Sequence, residues 1–297
     1  MNNSTIYKRK SPLALFLIPA FAFMGVFLYY PFVMNIYNSM CRISGLGTAS
    51  EGYNQPWYKN FVQMLTDAKL HTALANTMLL MLLTILFQVG IALLLALLVD
   101  NIRKGASFFR TVYFFPIVIS ATALGLLFNL IFLYNGGMLN QLLTDLGWIK
   151  EAVDWKSEQY YMFTMTLPVM WQYVGFYFVI IVTGLNNISP ELYEACSIDG
   201  ATAFQRITRI TLPLLHNTLC ICLTLAITGA LKVFDLPWIM MGQGMPMDKS
   251  WLMGTYMYQQ TFITGDVDYG SAIALVIVVL GVAISQVANA IFKEKDY

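Results

Sequence analysis

Residues able to hold a solute fall in two stretches. The first runs Trp171-Gln172-Tyr173 and continues to Phe176 and Tyr177. It sets aromatic rings beside an amide and two phenolic hydroxyls. Aromatic faces suit the apolar faces of a sugar ring, and polar groups suit its rim of hydroxyls. Trp171, Tyr173 and Tyr177 recur at near-helical spacing. Helix packing or an interfacial aromatic belt would account for the same residues without a ligand. The second stretch holds Lys232, Phe234, Asp235 and Trp238. Lys232 and Asp235 are three residues apart and on a helix would share a face. Charges inside an apolar helix face a partner or a water-filled cavity. A Lys near the end of a span can instead snorkel to the interface. Both readings stand. Ser120 and Asn129 are weaker candidates, polar groups of the kind that serve local packing.

No constellation for covalent chemistry accompanies them. A phosphate-cradling loop needs G-x-x-x-x-G-K-[ST], so that backbone amides can surround the phosphates. The pair Lys249–Ser250 follows Asp248 and has Gln243 where the first glycine belongs. Neither G-x-S-x-G nor H-E-x-x-H occurs. The cysteines, Cys41, Cys196, Cys220 and Cys222, form no C-x-x-C pair, and His71 and His216 are the two histidines. A metal site wants clustered ligands at defined spacing, so no catalytic or metal-binding residue is expected.

What must position these residues is a set of membrane helices. Of 297 residues, 58% are hydrophobic and 11% charged, against about 25% charged in a soluble domain. Net charge is +1, which draws no nucleic acid to the chain. Long charge gaps separate Lys10 from Arg42, Lys69 from Asp100, Arg110 from Asp145, Glu158 from Glu191, Arg209 from Lys232 and Asp268 from Lys293. Each exceeds the roughly 20 apolar residues needed to cross a hydrocarbon core about 30 Å thick. Backbone groups cannot stay unpaired in lipid, and the runs are continuous rather than alternating, so helices are expected and a barrel is not. The spans are expected near 13–37, 73–99, 111–134, 160–185, 213–240 and 270–292, in one domain covering 1–297. The first apolar run is too long for a signal peptide and lacks a small-residue cleavage pattern, so it reads as a retained helix.

Six spans put both termini on one side. That side carries Lys8, Arg9, Lys10, Arg103, Lys104, Arg110, Arg206, Arg209, Lys293 and Lys295. The other carries Arg42, Lys59, Lys69, Lys150, Lys156 and Lys249. The positive-inside bias makes the first side cytoplasmic. The outer loops are rich in Trp and Tyr (Trp57, Trp148, Trp155 and Trp251 among them), as interfacial anchoring requires.

Between the fourth and fifth spans lies SPELYEACSIDGATAFQRITRITLPLL. Ser189 suits a helix cap, Pro190 the first position and Glu191 the dipole there. Gly200 can end that helix and turn the chain. A second helix is expected from about Ala201, and Pro213 opens the next span. The apolar residues of this helix–turn–helix (Leu192, Ala195, Ile198, Phe204, Ile207) are interleaved with charges. Such a surface lies on a membrane or docks in a partner's groove.

Here the residues resemble a known family. The pattern E-A-x-x-x-x-G, nine residues, then I-x-L-P is similar to the signature of ABC importer permeases. It reads Glu194, Ala195, Cys196, then Gly200, then Ile210, Leu212 and Pro213. The family usually has a second Ala where Cys196 stands, a small-for-small change. The segments Phe108–Ser120, Gly175–Ala195, Asp199–Leu215, Lys232–Gly244 and Asp266–Leu275 resemble the carbohydrate-importing branch. Within it, the chain is similar to the first of two paired permeases, as in maltose and glycerol-3-phosphate importers. Met241–Pro246 departs from the Gly-rich turn of relatives, which bears on the substrate.

The resemblance implies an all-α membrane protein with the type I ABC importer permease fold: six transmembrane helices and a cytoplasmic coupling helix in the region 189–212. It implies a multi-pass subunit of the bacterial cytoplasmic membrane, paired with a second permease, two ATPase subunits and an extracellular solute-binding protein. ATP and Mg would belong to the ATPase, with no cofactor in this chain. Glu194, Ala195, Asp199, Gly200 and Ala201 would couple to the ATPase. Trp171, Gln172, Tyr173, Phe176, Tyr177, Lys232, Phe234, Asp235 and Trp238 would line the path of a carbohydrate, an oligosaccharide before others. A polar solute such as glycerol-3-phosphate is the alternative within the class, although Lys232 is the one cation within a span and Asp235 can neutralise it. A stand-alone secondary transporter is the alternative outside it, but neither an inverted repeat nor a charge relay is visible.

Overall fold

The computed structural model describes residues 10–100 and 105–291, and Lys8, Arg9, Arg103, Lys104, Lys293 and Lys295 lie outside them. Among the described residues the regular structure is helical, joined by irregular connections, with one isolated β-bridge, Cys41 to Tyr53. Among the described residues, four helices are long and apolar enough to cross a membrane: α1 (Leu15–Met40), α3 (Ala68–Val99), α7 (Tyr161–Asn186) and α13 (Val267–Ala288 of a helix that runs to Ile291). The count becomes six if each of two bent pairs is one span. These pairs are α4 (Ser107–Val118) with α5 (Ala121–Ile131), bent by 94°, and α9 (Ala203–Leu214) with α10 (His216–Leu231), bent by 67°. The short helix α8 (Pro190–Ile198) lies where a helix was expected, while α2 (Lys59–Met64), α6 (Met138–Asp145), α11 (Asp235–Met241) and α12 (Met253–Tyr258) fill connections expected to be loops or parts of spans.

The expected span 111–134 contains a sharp corner. Pro116 removes a helical N–H from α4. Ile119 is extended, and Ser120 caps α5 by accepting from the Ala123 N–H at 3.2 Å. Ser120 is thus a structural cap. The expected span 213–240 is broken too, since α10 ends at Leu231 and α11 begins at Asp235. Pro237 explains the break. Its ring would clash with the carbonyl four residues back in a continuous helix, whereas the first turn of a new helix accepts it. A cation at the end of α10 and an anion at the start of α11 each complement the local helix dipole. The i, i+3 helical register assumed for Lys232 and Asp235 is lost, and no ion pair within 4.0 Å joins them.

Two compact units emerge. Of the described residues, one comprises 10–66 and 257–276, the other 67–100, 105–256 and 277–291. In the first, the chain leaving α1 doubles back, Arg42 and Glu51 exchanging backbone bonds with Gly52 and Arg42 at 2.8 and 2.9 Å. Asn60, 3% exposed, donates to the Ser39 carbonyl (3.0 Å) and to Asp268 (3.3 Å). Phe16, Phe21 and Phe27 of α1 are exposed, as suits a helix bathed by lipid rather than water.

The second unit holds two apolar cores. One gathers Val89, Ala92, Phe178, Ile181 and Leu215 around α3, α7 and the start of α10. The other gathers Leu80, Leu124, Phe132, Met165 and Met240. Helices α4 and α7 approach so closely at Gly175 that a Cβ there would meet the Tyr113 carbonyl oxygen at 1.8 Å. Polar groups fasten the connections at one end of this unit. Asn140 donates to the carbonyls of Leu133, Tyr134 and Val153 and accepts from Trp155 Nε1 at 2.9 Å. Lys156 donates to Asn129 at 2.6 Å, and Asn129 donates onward to the Ile239 carbonyl at 3.2 Å. Burial lowers the Lys156 pKa, partly opposed by the negative charge of Asp154.

Candidate functional site

The second unit contains a cavity of about 260 Å³. One wall is α7 and another is the break between α10 and α11. Of the nine pathway residues expected from sequence, seven line it: Gln172, Tyr173, Phe176, Tyr177, Lys232, Phe234 and Asp235. Helical period explains the α7 wall. Residues 172, 173, 176 and 177 fall on one face, spaced i, i+1, i+4 and i+5. Tyr177 is buried, whereas Tyr173, Lys232 and Asp235 are exposed. The cavity therefore combines aromatic faces, an amide, two phenols and both signs of charge.

Trp171 and Trp238 do not join this group. Trp171 lies one residue off the α7 face, with Leu167 and Val174, and lines a separate apolar cavity of about 920 Å³ that also takes in Phe87 and Phe115. Its ring meets Phe128 edge-on at 5.9 Å. The near-helical recurrence of Trp171, Tyr173 and Tyr177 thus resolves into two faces, Tyr173 and Tyr177 at i, i+4 and Trp171 apart from them. Trp238 stacks on Phe234 at 5.8 Å and borders a narrow crevice beside Met241, Gly244 and Trp251.

Two residues overlooked in the sequence line the same cavity, Thr84 and Gln88 of α3. They sit in a wide π-turn, Thr84–Val89, a feature frequent at functional sites. Both are buried. The signal that could have found them is chemical: a glutamine in a long apolar span has no reason to be there unless it faces a partner.

A loop closes one end of the unit. Asn76, 6% exposed, donates to the carbonyls of Lys249 (2.6 Å) and Trp251 (2.9 Å) and accepts from the Tyr161 hydroxyl (3.2 Å). Asp248 pairs with Lys69 at 3.0 Å and accepts from Trp251 Nε1 at 3.0 Å, while Lys249 pairs with Glu158. Burial pushes the Asp248 pKa up, but the hydrogen bonds from Lys69 and Trp251 and the Lys69 charge together bring it below the usual carboxylate value.

The segment expected to couple lies elsewhere in the unit. Glu194, Ala195, Asp199, Gly200 and Ala201 are all exposed, while Cys196 on the same short helix is buried. Gly200 takes φ +71°, and its N–H donates to the Ser197 carbonyl at 3.3 Å. The Ala201 N–H reaches back to the Cys196 carbonyl at 3.0 Å, closing α8. Ser189 occupies the cap position of α8 by backbone angles, but its side chain makes no capping bond. The next helix starts two residues later than expected, at Ala203, because Thr202 and Gln205 form a reciprocal capping box. Arg206 lies 5.4 Å from the Tyr193 ring centre, and the Tyr193 hydroxyl meets Thr211 at 3.3 Å. These contacts tie the short helix to the one after it. Ile198 and Phe204 stand 87% and 75% exposed beside the turn.

Comparison with known proteins accounts for this arrangement. The sequence matches the family described as binding-protein-dependent transport system inner membrane component over residues 88–295. It is 33% identical to the probable ABC transporter permease protein YurN of Bacillus subtilis, over 94% of this chain and 95% of that one. It is 28% identical to the arabinooligosaccharides transport system permease protein AraP of the same organism, over 95% and 88%. A chain in the crystal structure of a bacterial ABC transporter that imports the acidic polysaccharide alginate superposes with a TM-score of 0.84 at 25% identity, covering 96% of both chains. The multi-helix membrane fold, the signature around Glu194 to Pro213 and the length of these matches agree: this chain belongs to the inner membrane component family of binding-protein-dependent transport systems, as an ABC importer permease subunit with the type I fold.

Proposed function

We infer that this permease forms half of the translocation pathway for a carbohydrate, an oligosaccharide before others. The observation that carries the reading is the cavity between α3, α7 and the α10–α11 break, where Tyr173, Phe176 and Phe234 offer ring faces beside Gln88, Gln172 and Asp235. Aromatic surface with a few convergent polar groups is the lining that binds a polyhydroxylated solute. Relatives named for arabinooligosaccharides and alginate support the same class. Lys232 and Asp235 bring opposite charges to one wall, so the cavity is not tuned to a phosphate alone.

In this reading both termini are cytoplasmic, and the exposed turn at Glu194–Ala201 faces that side. A second, homologous permease completes the path. Two ATPase subunits, which hold ATP and Mg, receive α8 in a groove, with Ile198 and Phe204 as the apolar contacts. This chain performs no hydrolysis of its own. An extracellular solute-binding protein delivers the sugar. Nucleotide-driven closure of the ATPase pair moves α8 as a lever, because Tyr193, Arg206 and Thr211 bind it to the following helices. The spans then exchange between inward- and outward-facing states.

The test is purification in mild detergent, identification of co-purifying chains and an ATPase assay. A second permease, an ATPase and a binding protein are expected, with ATPase activity stimulated by a sugar. Recovery of the chain alone, under conditions that keep a known importer intact, would favour a stand-alone transporter.

A further inference from the structure

We propose that Gln88 is a specificity-determining residue of the cavity: together with Gln172 of α7, it holds a fixed carbonyl oxygen that accepts a hydrogen bond from a hydroxyl of the transported solute. The proposal rests on the carbohydrate reading above and adds a residue and a role to it.

Gln88 Nε2 donates to the Val169 carbonyl of α7 at 2.9 Å. Gln172 Nε2 donates to the Ile119 carbonyl at 3.2 Å. A backbone carbonyl can only accept, so each amide must present its NH₂ to the backbone, and flipping it would set two acceptors against each other. The orientation of both side chains is therefore decided by the protein before any solute enters. Each amide keeps its Oε1 as a remaining acceptor. Gln88 and Gln172 are 3% and 5% exposed, and both line the cavity.

The elements explain why the Ile119 carbonyl needs a partner and how Gln88 comes to the cavity. Ile119 is extended at the corner between α4 and α5, so its carbonyl has left the helical ladder. Gln88 comes from the π-turn of α3, which also brings Thr84 to the cavity, four residues earlier. The Thr84 hydroxyl is already committed to the Met81 carbonyl at 2.8 Å. That leaves the two amide oxygens as oriented acceptors on walls contributed by α3 and α7. Buried oriented acceptors discriminate strongly, because a solute lacking the matching hydroxyl leaves the acceptor without a partner.

The test uses the reconstituted transporter with its partner permease, ATPase and binding protein. The probes are lactose, arabinotriose and an alginate trisaccharide, each with its mono-deoxy derivatives. Uptake kcat/KM is measured for each parent and each derivative in wild type, Gln88→Met and Gln172→Met. In wild type at least one deoxy derivative of a transported parent should fall about tenfold or more below the parent. Gln88→Met should lower the parent by a similar factor and shrink that ratio to about twofold or less. The ratio is taken on one preparation, so a smaller amount of folded transporter cancels, and Gln172→Met provides a second, independent arm.

If Gln88→Met and Gln172→Met lower parent and derivatives by one common factor, the glutamines only brace the helices and the proposal is overturned while the carbohydrate reading stands. If none of the probes is transported or stimulates the ATPase, the carbohydrate reading fails and the proposal fails with it.

Discussion

Asn76 and Asp248 act on the same loop through different physics. Asn76 satisfies two backbone carbonyls and one phenol in a buried place. Asn76→Ala would leave all three without that partner, and each unmatched group costs on the order of 1–3 kcal/mol. The expected outcome is a loss of about 2 kcal/mol or more, measured as a lower denaturation midpoint of the purified subunit. Asp248 acts through charge. Its folded pKa lies below the ordinary value, so its contribution is complete above an unfolded pKa of about 3.9 and is lost as pH falls through the folded value. Thermal denaturation followed down that acid window should show wild type losing more stability than Asp248→Asn. Equal losses would mean that the contact with Lys69 has no energetic weight.

At the scale of the element, close approach matters more than polarity. Gly175 lets α7 lie against the backbone of α4, where a Cβ would sit 1.8 Å from the Tyr113 oxygen and 2.4 Å from its carbonyl carbon. Backbone cannot swing aside as a side chain can. Gly175→Ala should separate the helices at a cost of about 3 kcal/mol, read as loss of folded protein in detergent on heating. Gly90→Ala, where nothing lies within 4 Å of the added carbon, is the control and should be nearly neutral. The same reasoning covers the breaks. The breaks at Ser120 and before Pro237 interrupt apolar runs that hydropathy treats as continuous, leaving Ile119 in an extended corner and Asp235 at the start of a new helix.

For the whole molecule, the proposed function makes transport depend on one exposed turn passing a movement to the spans. Gly200 needs φ +71°, which proline, fixed near −65°, cannot supply. Proline would also remove the N–H given to Ser197. Glu194→Lys reverses a charge on the same exposed surface. Both variants should insert in the membrane yet lower uptake about tenfold or more, a coupling change of ordinary size, while ATP hydrolysis by the assembled complex stays within about twofold of wild type. Transport at the wild-type level in either variant would separate this turn from coupling.

Much of this was legible in the residues. The charge gaps announced membrane helices because unpaired backbone is intolerable in lipid. Glu194, Gly200 and Pro213 announced the family by their resemblance to its signature; Gly200 makes the left-handed turn, whereas Pro213, expected to open the next span, lies near the end of α9, before α10 starts at His216. Seven of the nine residues expected along a pathway, picked out as aromatic, amide or charged side chains in apolar runs, line one cavity. What only the tertiary structure decided is which of them face one another. Period along α7 separates Trp171 from Tyr173, the break before Pro237 parts Lys232 from Asp235, and Gln88 reaches the cavity from a span some eighty residues away, through a hydrogen bond to Val169. Sequence fixes what each position can do by local chemistry; which groups converge depends on helix crossings and corners, and those are set by contacts between residues far apart in the chain.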